Sequence, residues 1–227
     1  MARTVGARGE ETAERVREAA LRLFAREGYA AVSMRQIAAA VGVQPGALYN
    51  HFPTKQDILR DLMVSHMQAL LEAWDENCAA ADPGESPDAA LERFTRFHIR
   101  YHLARTDAVF VSYMELRNLE PENFQAVEHL RQRYEAILTD ILKRGAQAGS
   151  FAVSEPQVAT RAIIAMLTGL GTWYREGGRL SKADIETIYL DMVTASVTGG
   201  EEPGDNGHPE IERGHTRRGF REEPQGA

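Results

Sequence analysis

Cysteine is almost missing from this chain: Cys78 stands alone among 227 residues. An internal disulfide and any multi-cysteine metal site are thereby excluded, and the lone thiol is expected as a small buried apolar group. No run of eighteen apolar residues occurs, so no membrane-spanning helix is expected. The opening MARTVGARGE lacks the apolar stretch of a signal peptide, which makes a cytoplasmic protein the expectation. Strict alternation of apolar and polar residues is nearly absent, which argues against a sheet. There is no Gly-rich phosphate loop after a strand pattern, no nucleophile elbow, and no convincing Ser/His/Asp set or carboxylate pair. Neither an enzyme nor a cofactor is expected.

Charge of one sign is also unevenly supplied. The net charge is −7, yet residues 1–60 hold nine basic against six acidic residues, and the remainder holds seventeen against twenty-seven. Positive charge is therefore concentrated at one end, and the acidic part would be repelled by a polyanion.

What the chain has in abundance is helical periodicity, from Glu10 to Thr198, and the fold class expected is all-α. Val16, Ala19, Ala20, Leu23 and Phe24 form one apolar stripe, and Gly28 supplies a helix stop. Ser33 to Gln36 is a capping box for a short helix, Met34 to Ala40. Gly42 sits in a tight turn, and Pro45 occupies the first turn of a third helix. Thr54 to Asp57 starts a long helix reaching about Ala80, and DPGESP (82–87) is a loop. Further helices are expected at about 88–104, 107–118, 121–148, 156–176 and 182–198, with Ser181 and Asp184 as a cap for the last. Residues 1–10 read as a mobile basic arm, 11–55 as a small domain, 56–198 as a larger one, and 199–227 as a disordered tail rich in Gly, Pro and charge.

The segment SMRQIAAAVGVQPGALYNHF (33–52) has the form of a helix-turn-helix. A helix fits the major groove only when a second helix holds it at a fixed angle across the backbone. Ile37 and Ala38 face Val43 and Leu48 across the turn, Ala40 and Gly42 permit close approach, and Phe52 with Leu23 and Phe24 completes a small core. A helical hairpin that never meets DNA would satisfy the same pattern.

The run from Arg15 to Leu59 resembles the TetR family of bacterial repressors. The shared positions are A-x-x-L-F-x-x-x-G-Y (20–29), S-x-x-x-I-A (33–38), V-G-V-x-x-G-x-L-Y-x-H-F (41–52) and K-x-x-I-L (55–59). The resemblance implies that Gln44, Pro45, Gly46 and Ala47 open the recognition helix. There Gln44 is suited to adenine, Ala47 to a thymine methyl, and Gly46 to close backbone approach. Arg35 is a candidate for a guanine or a phosphate. Ser33, Tyr49, His51 and Lys55 are candidate phosphate contacts, and Asn50 a contact to bases or backbone. One recognition helix reads few base pairs, so a homodimer on a palindromic double-stranded operator is expected.

In the larger domain, the helices at 156–176 and 182–198 are apolar around much of their circumference, more than one core-facing stripe needs, and form the expected dimer interface. Phe97, His98, Tyr101, Phe110, Met114, Arg117, Tyr134 and Trp173 are candidate ligand-binding residues, an apolar set with a few polar groups. At helical spacing the same side chains would also serve as core. His98 and His102 stand at i and i+4, but a third ligand is not evident and no metal site is expected. The blocks Tyr134–Phe151 (Y-E-A-I-L-x-x-I-L-x-x-G-x-x-x-G-x-F) and Trp173–Ser181 (WYREGGRLS) resemble actinobacterial TetR-type regulators of fatty-acid and sterol catabolism. That resemblance implies a small hydrophobic or acyl-CoA ligand, with Arg117, Arg131, Arg161, Arg175 and Arg179 as phosphate partners. A different hydrophobic compound such as a drug, or a helical interaction module with a vestigial helix-turn-helix, stays open on these residues alone.

Overall fold

A computed structural model of the chain describes residues 3–79, 81–82 and 84–199. Among these there are only helices: α1 (Arg3–Glu27), α2 (Met34–Val41), α3 (Pro45–Tyr49), α4 (Lys55–Cys78), α5 (Pro87–Leu103), α6 (Thr106–Met114), α7 (Pro121–Gln147), α8 (Pro156–Thr168), α9 (Leu170–Trp173) and α10 (Lys182–Thr198), with a 3-10 turn at Leu116–Asn118. The expected all-α fold is the observed one. Among the described residues no helix is long and apolar enough to cross a membrane.

Three departures have local causes. Helix α1 begins at Arg3, where a mobile arm was expected through residue 10. No proline interrupts that stretch, and a helix already nucleated downstream propagates one residue at a time. The segment expected to be helical over 107–118 is α-helical only to Met114, because Glu115 turns the chain into the 3-10 turn. The segment expected over 156–176 breaks after Thr168 and ends at Trp173, at a stretch (TGLG) with two glycines that weaken a helix interior. The tail expected from 199 onward lies, apart from Gly199, outside the described residues.

The side chains settle into two cores that share two helices, α4 and α7. The first gathers Phe24, Val32, Ile37, Leu48, Phe52, Ile58, Leu59 and Met63, with Val111 and Val127 contributed from α6 and α7. The second gathers Met67, Leu70, Trp74, Phe94, Tyr134, Leu138, Leu167, Leu170 and Val193. Helix α4 runs from one into the other, Ile58 to Met63 in the first and Met67 to Trp74 in the second. Each such side chain contributes roughly 1.5–3 kcal/mol on burial, so neither end of α4 tilts freely without its core.

Gly145 and Phe151 lock the end of α7. A Cβ on Gly145 would lie 1.8 Å from the Phe151 ring, so only glycine lets the ring fold back on the helix. Phe151 is buried there, and the Phe151 and Ser150 amides both donate to the Gly145 carbonyl.

Candidate nucleic-acid interface and sensor cavity

Helix α2 starts as its sequence dictates. The Ser33 hydroxyl accepts from the Gln36 amide at 3.3 Å, and the Gln36 side chain accepts from the Ser33 amide at 2.8 Å. It ends at Gly42, whose φ of 77° favours glycine and whose amide, with that of Val43, closes onto the α2 carbonyls. Ile37, Ala38 and Leu48 are fully buried between α2 and α3. The opposite face is left outward: Arg35, Gln44, Pro45, Gly46 and Asn50 are exposed, Tyr49 is 48% exposed, and Ala47 and His51 are half-buried. A Cβ on Gly46 would meet nothing within 4 Å. The fold itself therefore has no need of glycine at this position.

The helix-turn-helix is clamped by charges that the pattern did not reveal. Arg17 of α1 donates to Asp61 of α4 at 2.6 Å and lies over the Phe52 ring. Arg15 donates to the Val41 carbonyl at the end of α2. Lys55, expected as a phosphate contact, has its ammonium 2.8 Å from the Tyr29 and the Val32 carbonyls and 4.1 Å above the Tyr29 ring. Partial burial lowers its pKa. In the protein alone, Lys55 ties the start of α4 to the loop between α1 and α2.

The expected ligand residues are divided by the fold among separate places. Phe110 and Met114, with Thr106, Val109, Tyr113, Thr168, Gly171, Thr172 and Arg175, line a cavity of about 310 Å³ between α6, α8 and α9. Immediately behind it, the buried His98 faces the Thr168 hydroxyl at 3.2 Å and the Tyr134 hydroxyl at 3.1 Å. Phe97 and Tyr101 line another groove, on α5, beside Arg93, Arg96, Arg100 and Arg105. Arg117 is exposed in the 3-10 turn on the DNA-binding side, and Trp173 is exposed with its ring next to Tyr174. Of the arginines expected at phosphates, Arg175 lines the cavity and also a neighbouring polar groove of about 400 Å³ that includes Lys182. Arg131 lies over the Tyr113 ring, and Arg161 pairs with Glu135 at 3.5 Å. His98 and His102 do not open toward a metal; their rings stack at 3.8 Å, and no cluster of three or more metal-ligating side chains occurs among the described residues.

Comparison with known proteins now decides the family. Residues 16–62 match the family of bacterial regulatory proteins described as tetR, and residues 84–197 match the tetracyclin repressor-like C-terminal domain. The chain belongs to the TetR family. It is a helix-turn-helix transcriptional regulator. Among curated relatives, the transcriptional repressor KstR2 of Rhodococcus jostii is 27% identical over 75% of this chain and 83% of its own length. The TetR-family regulator PfmR of Thermus thermophilus superposes with a TM-score of 0.69 at 32% identity, covering 79% of this chain and 97% of that one. AibR, solved with isovaleryl coenzyme A and operator DNA, shares the fold, with a TM-score of 0.71 at 22% identity over 82% of this chain and 98% of its own.

In this TetR-family chain the two domains meet through a polar seam. Glu115, buried at the end of α6, accepts from the Tyr29 amide at 3.2 Å. Gln56 donates to the Asn118 carbonyl at 2.7 Å and accepts from the Glu120 amide at 3.2 Å. These bonds join the turn after α6 to the loop that precedes α2 and to the first turn of α4. Nothing in the local sequence around Glu115 or Gln56 signals the pairing, since the partners are more than sixty residues apart.

Proposed function

We propose that this regulator binds a palindromic operator as a homodimer and represses transcription until a small apolar or acyl-CoA ligand enters the cavity between α6, α8 and α9. The observation that carries the reading is the recognition face itself. Gln44, Gly46, Tyr49 and Asn50 are turned outward by a fully packed helix-turn-helix that makes no internal use of them. Gln44 and Asn50 supply hydrogen bonds to base edges or backbone, Gly46 admits close approach, and Arg35, Ser33, Tyr49 and His51 flank them as phosphate partners.

Dimerisation is supported by two matching stripes. Val158, Ala162 and Ala165 on α8 and Ile188, Met192 and Ala195 on α10 are all exposed at the same i, i+4, i+7 spacing. Two such apolar stripes on adjacent helices have no partner within the protomer, and a twofold mate would bury both. The acyl-CoA reading is supported by the division of labour around Arg175. The apolar cavity suits an acyl chain, and Arg175 in the adjoining groove suits phosphate, while Lys182 there is paired with Glu176 at 2.9 Å. KstR2 is a repressor, and AibR accommodates an acyl-CoA and an operator on the same fold.

Titration of the full chain against duplex DNA from its own upstream region tests the proposal. Nanomolar binding, a steep salt dependence and release by acyl-CoA thioesters but not by free fatty acids are expected. Affinity no better than for random duplex would refute it.

A further inference from the structure

The apolar stripes of α8 and α10 are short for a stable dimer. Val158, Ala162 and Ala165 with Ile188, Met192 and Ala195 are six exposed side chains, three of them alanines. A standard interface takes roughly 20–30 residues from each partner. The α8 stripe, however, does not stop at Ala165. Gly169 keeps helical dihedrals, φ −56° and ψ −22°, and its amide donates to the Ala165 carbonyl at 3.0 Å. The Thr172 amide donates in turn to the Gly169 carbonyl at 3.1 Å. The alternating spacing of four and three residues therefore carries on across the break, from Val158 through Ala165 and Gly169 to Thr172.

Thr172 is also a wall of the cavity between α6, α8 and α9, and it is exposed. Opposite it on α6, Phe110 and Met114 line the same cavity and are 40% and 48% exposed. The cavity thus opens to solvent where the stripe ends. Arg175, the charged residue of its lining, is turned onto the Tyr174 and Thr172 carbonyls at 2.8 and 3.4 Å. Among the described residues eight large apolar side chains are exposed, and six stand on these adjoining elements: Phe110, Met114, Val158, Trp173, Ile188 and Met192. Scattered exposed apolar residues are ordinary, but a set gathered on neighbouring helices marks a surface that assembly covers.

We propose that a second copy of this chain covers the mouth of the cavity, so that the ligand site is closed only in the dimer. The interface then runs from the α8 and α10 stripes over Thr172 and Trp173 to the rim at Phe110 and Met114. The covering copy keeps water from an apolar occupant, and by twofold symmetry each copy closes the other's cavity. Occupancy and dimerisation are linked, because a ligand that prefers the closed cavity tightens the dimer. The inference rests on the homodimer and the cavity of the proposed function; closure by the second copy is what it adds.

Two reporters on opposite sides of the mouth test it. Trp74 and Trp173 are the tryptophans of the chain, so the difference in iodide quenching between the parent and Trp173→Phe reads Trp173 alone. Met114→Cys in a Cys78→Ser background reads the other rim by its rate of maleimide labelling. Both are measured in the dimer and in the monomeric Ile188→Glu, Met192→Glu form, with Ala165→Glu in its place should that form not fold. Interfaces pack as densely as interiors, so the dimer should shield both reporters at least about five-fold relative to the monomer. Hexanoyl-CoA should bind the monomer at least about ten-fold more weakly than the dimer in isothermal titration. Equal quenching and labelling in dimer and monomer, or equal hexanoyl-CoA affinity, would overturn the inference and leave the proposed function standing. A parent that is itself monomeric would overturn both. Shielded reporters without hexanoyl-CoA binding would sink the acyl-CoA reading and uphold the closure.

Discussion

Lowering the pH from 7.0 to 5.5 should destabilise this protein by way of three buried imidazoles. His66, His98 and His102 are all held neutral by burial, with the positive charges of Arg105 and Arg131 adding to the effect on His66. His66 is pushed down to about 4 and His102 to about 3, and His98 lies well below its ordinary value. The unfolded chain takes up these protons near pH 6.5, whereas the folded protein refuses them until far lower pH. Their contribution is therefore complete above the unfolded value and is lost as pH falls from about 6.5 toward the folded values. At pH 5.5 the folded groups are still neutral, so each histidine forfeits about 1.2 kcal/mol relative to pH 7, and the three together about 3–4 kcal/mol. Glu186 and Glu85, held below the usual carboxylate range chiefly by bonds from Arg100 and Arg93 respectively, act only below about pH 4.5 and do not enter this window. Urea unfolding at the two pH values, at one fixed protein concentration, measures the difference. His66→Gln should reduce the loss by about a third. A stability unchanged to within ~0.5 kcal/mol would refute the claim that these rings are neutral and buried.

Four further outcomes are expected. Gly145→Ala drives a methyl into the Phe151 ring and should destabilise by roughly 1–3 kcal/mol in thermal unfolding. Gly46→Ala, with open space around its Cβ, should leave the melting temperature unchanged while weakening operator binding in a fluorescence titration. Lys55→Met removes the cation shared by the Tyr29 and Val32 carbonyls and should cost about 1–2 kcal/mol in chemical unfolding, even without DNA. Ile188→Glu with Met192→Glu, on the exposed α10 stripe, should yield a folded monomer by analytical ultracentrifugation, with operator affinity reduced at least a hundred-fold.

The features legible in the sequence are those whose physics is local. The capping boxes at Ser33–Gln36 and Ser181–Asp184 form as their spacing requires, and so does the one at Thr54–Asp57. Each is closed by groups three residues apart, and Pro45, Pro121 and Pro156 each open a helix because the ring fixes φ and lacks an amide proton to lose. Helical periodicity carried the all-α fold for the same reason, since an apolar stripe is written within a single segment. The 145–151 spacing G-x-x-x-G-x-F was visible too, but its role here is to seat Phe151 on Gly145, a matter of packing.

Only the tertiary structure could decide which distant groups meet. Lys55 carries its charge at a position that would suit a phosphate, yet the carbonyls of Tyr29 and Val32, more than twenty residues away, receive it. His98 and Tyr134 read as cavity residues and are a bonded pair behind the cavity wall. The packing of the His66 ring of α4 against the Tyr101 and His102 rings of α5 depends on those two helices meeting, and the seam of Glu115 and Gln56 on α6 and α7 reaching the DNA-binding core. Hydrogen bonds and ion pairs act over about 3 Å, so they are settled by where helices cross; the apolar pattern sets which face of each helix turns inward but not which polar group it will face there.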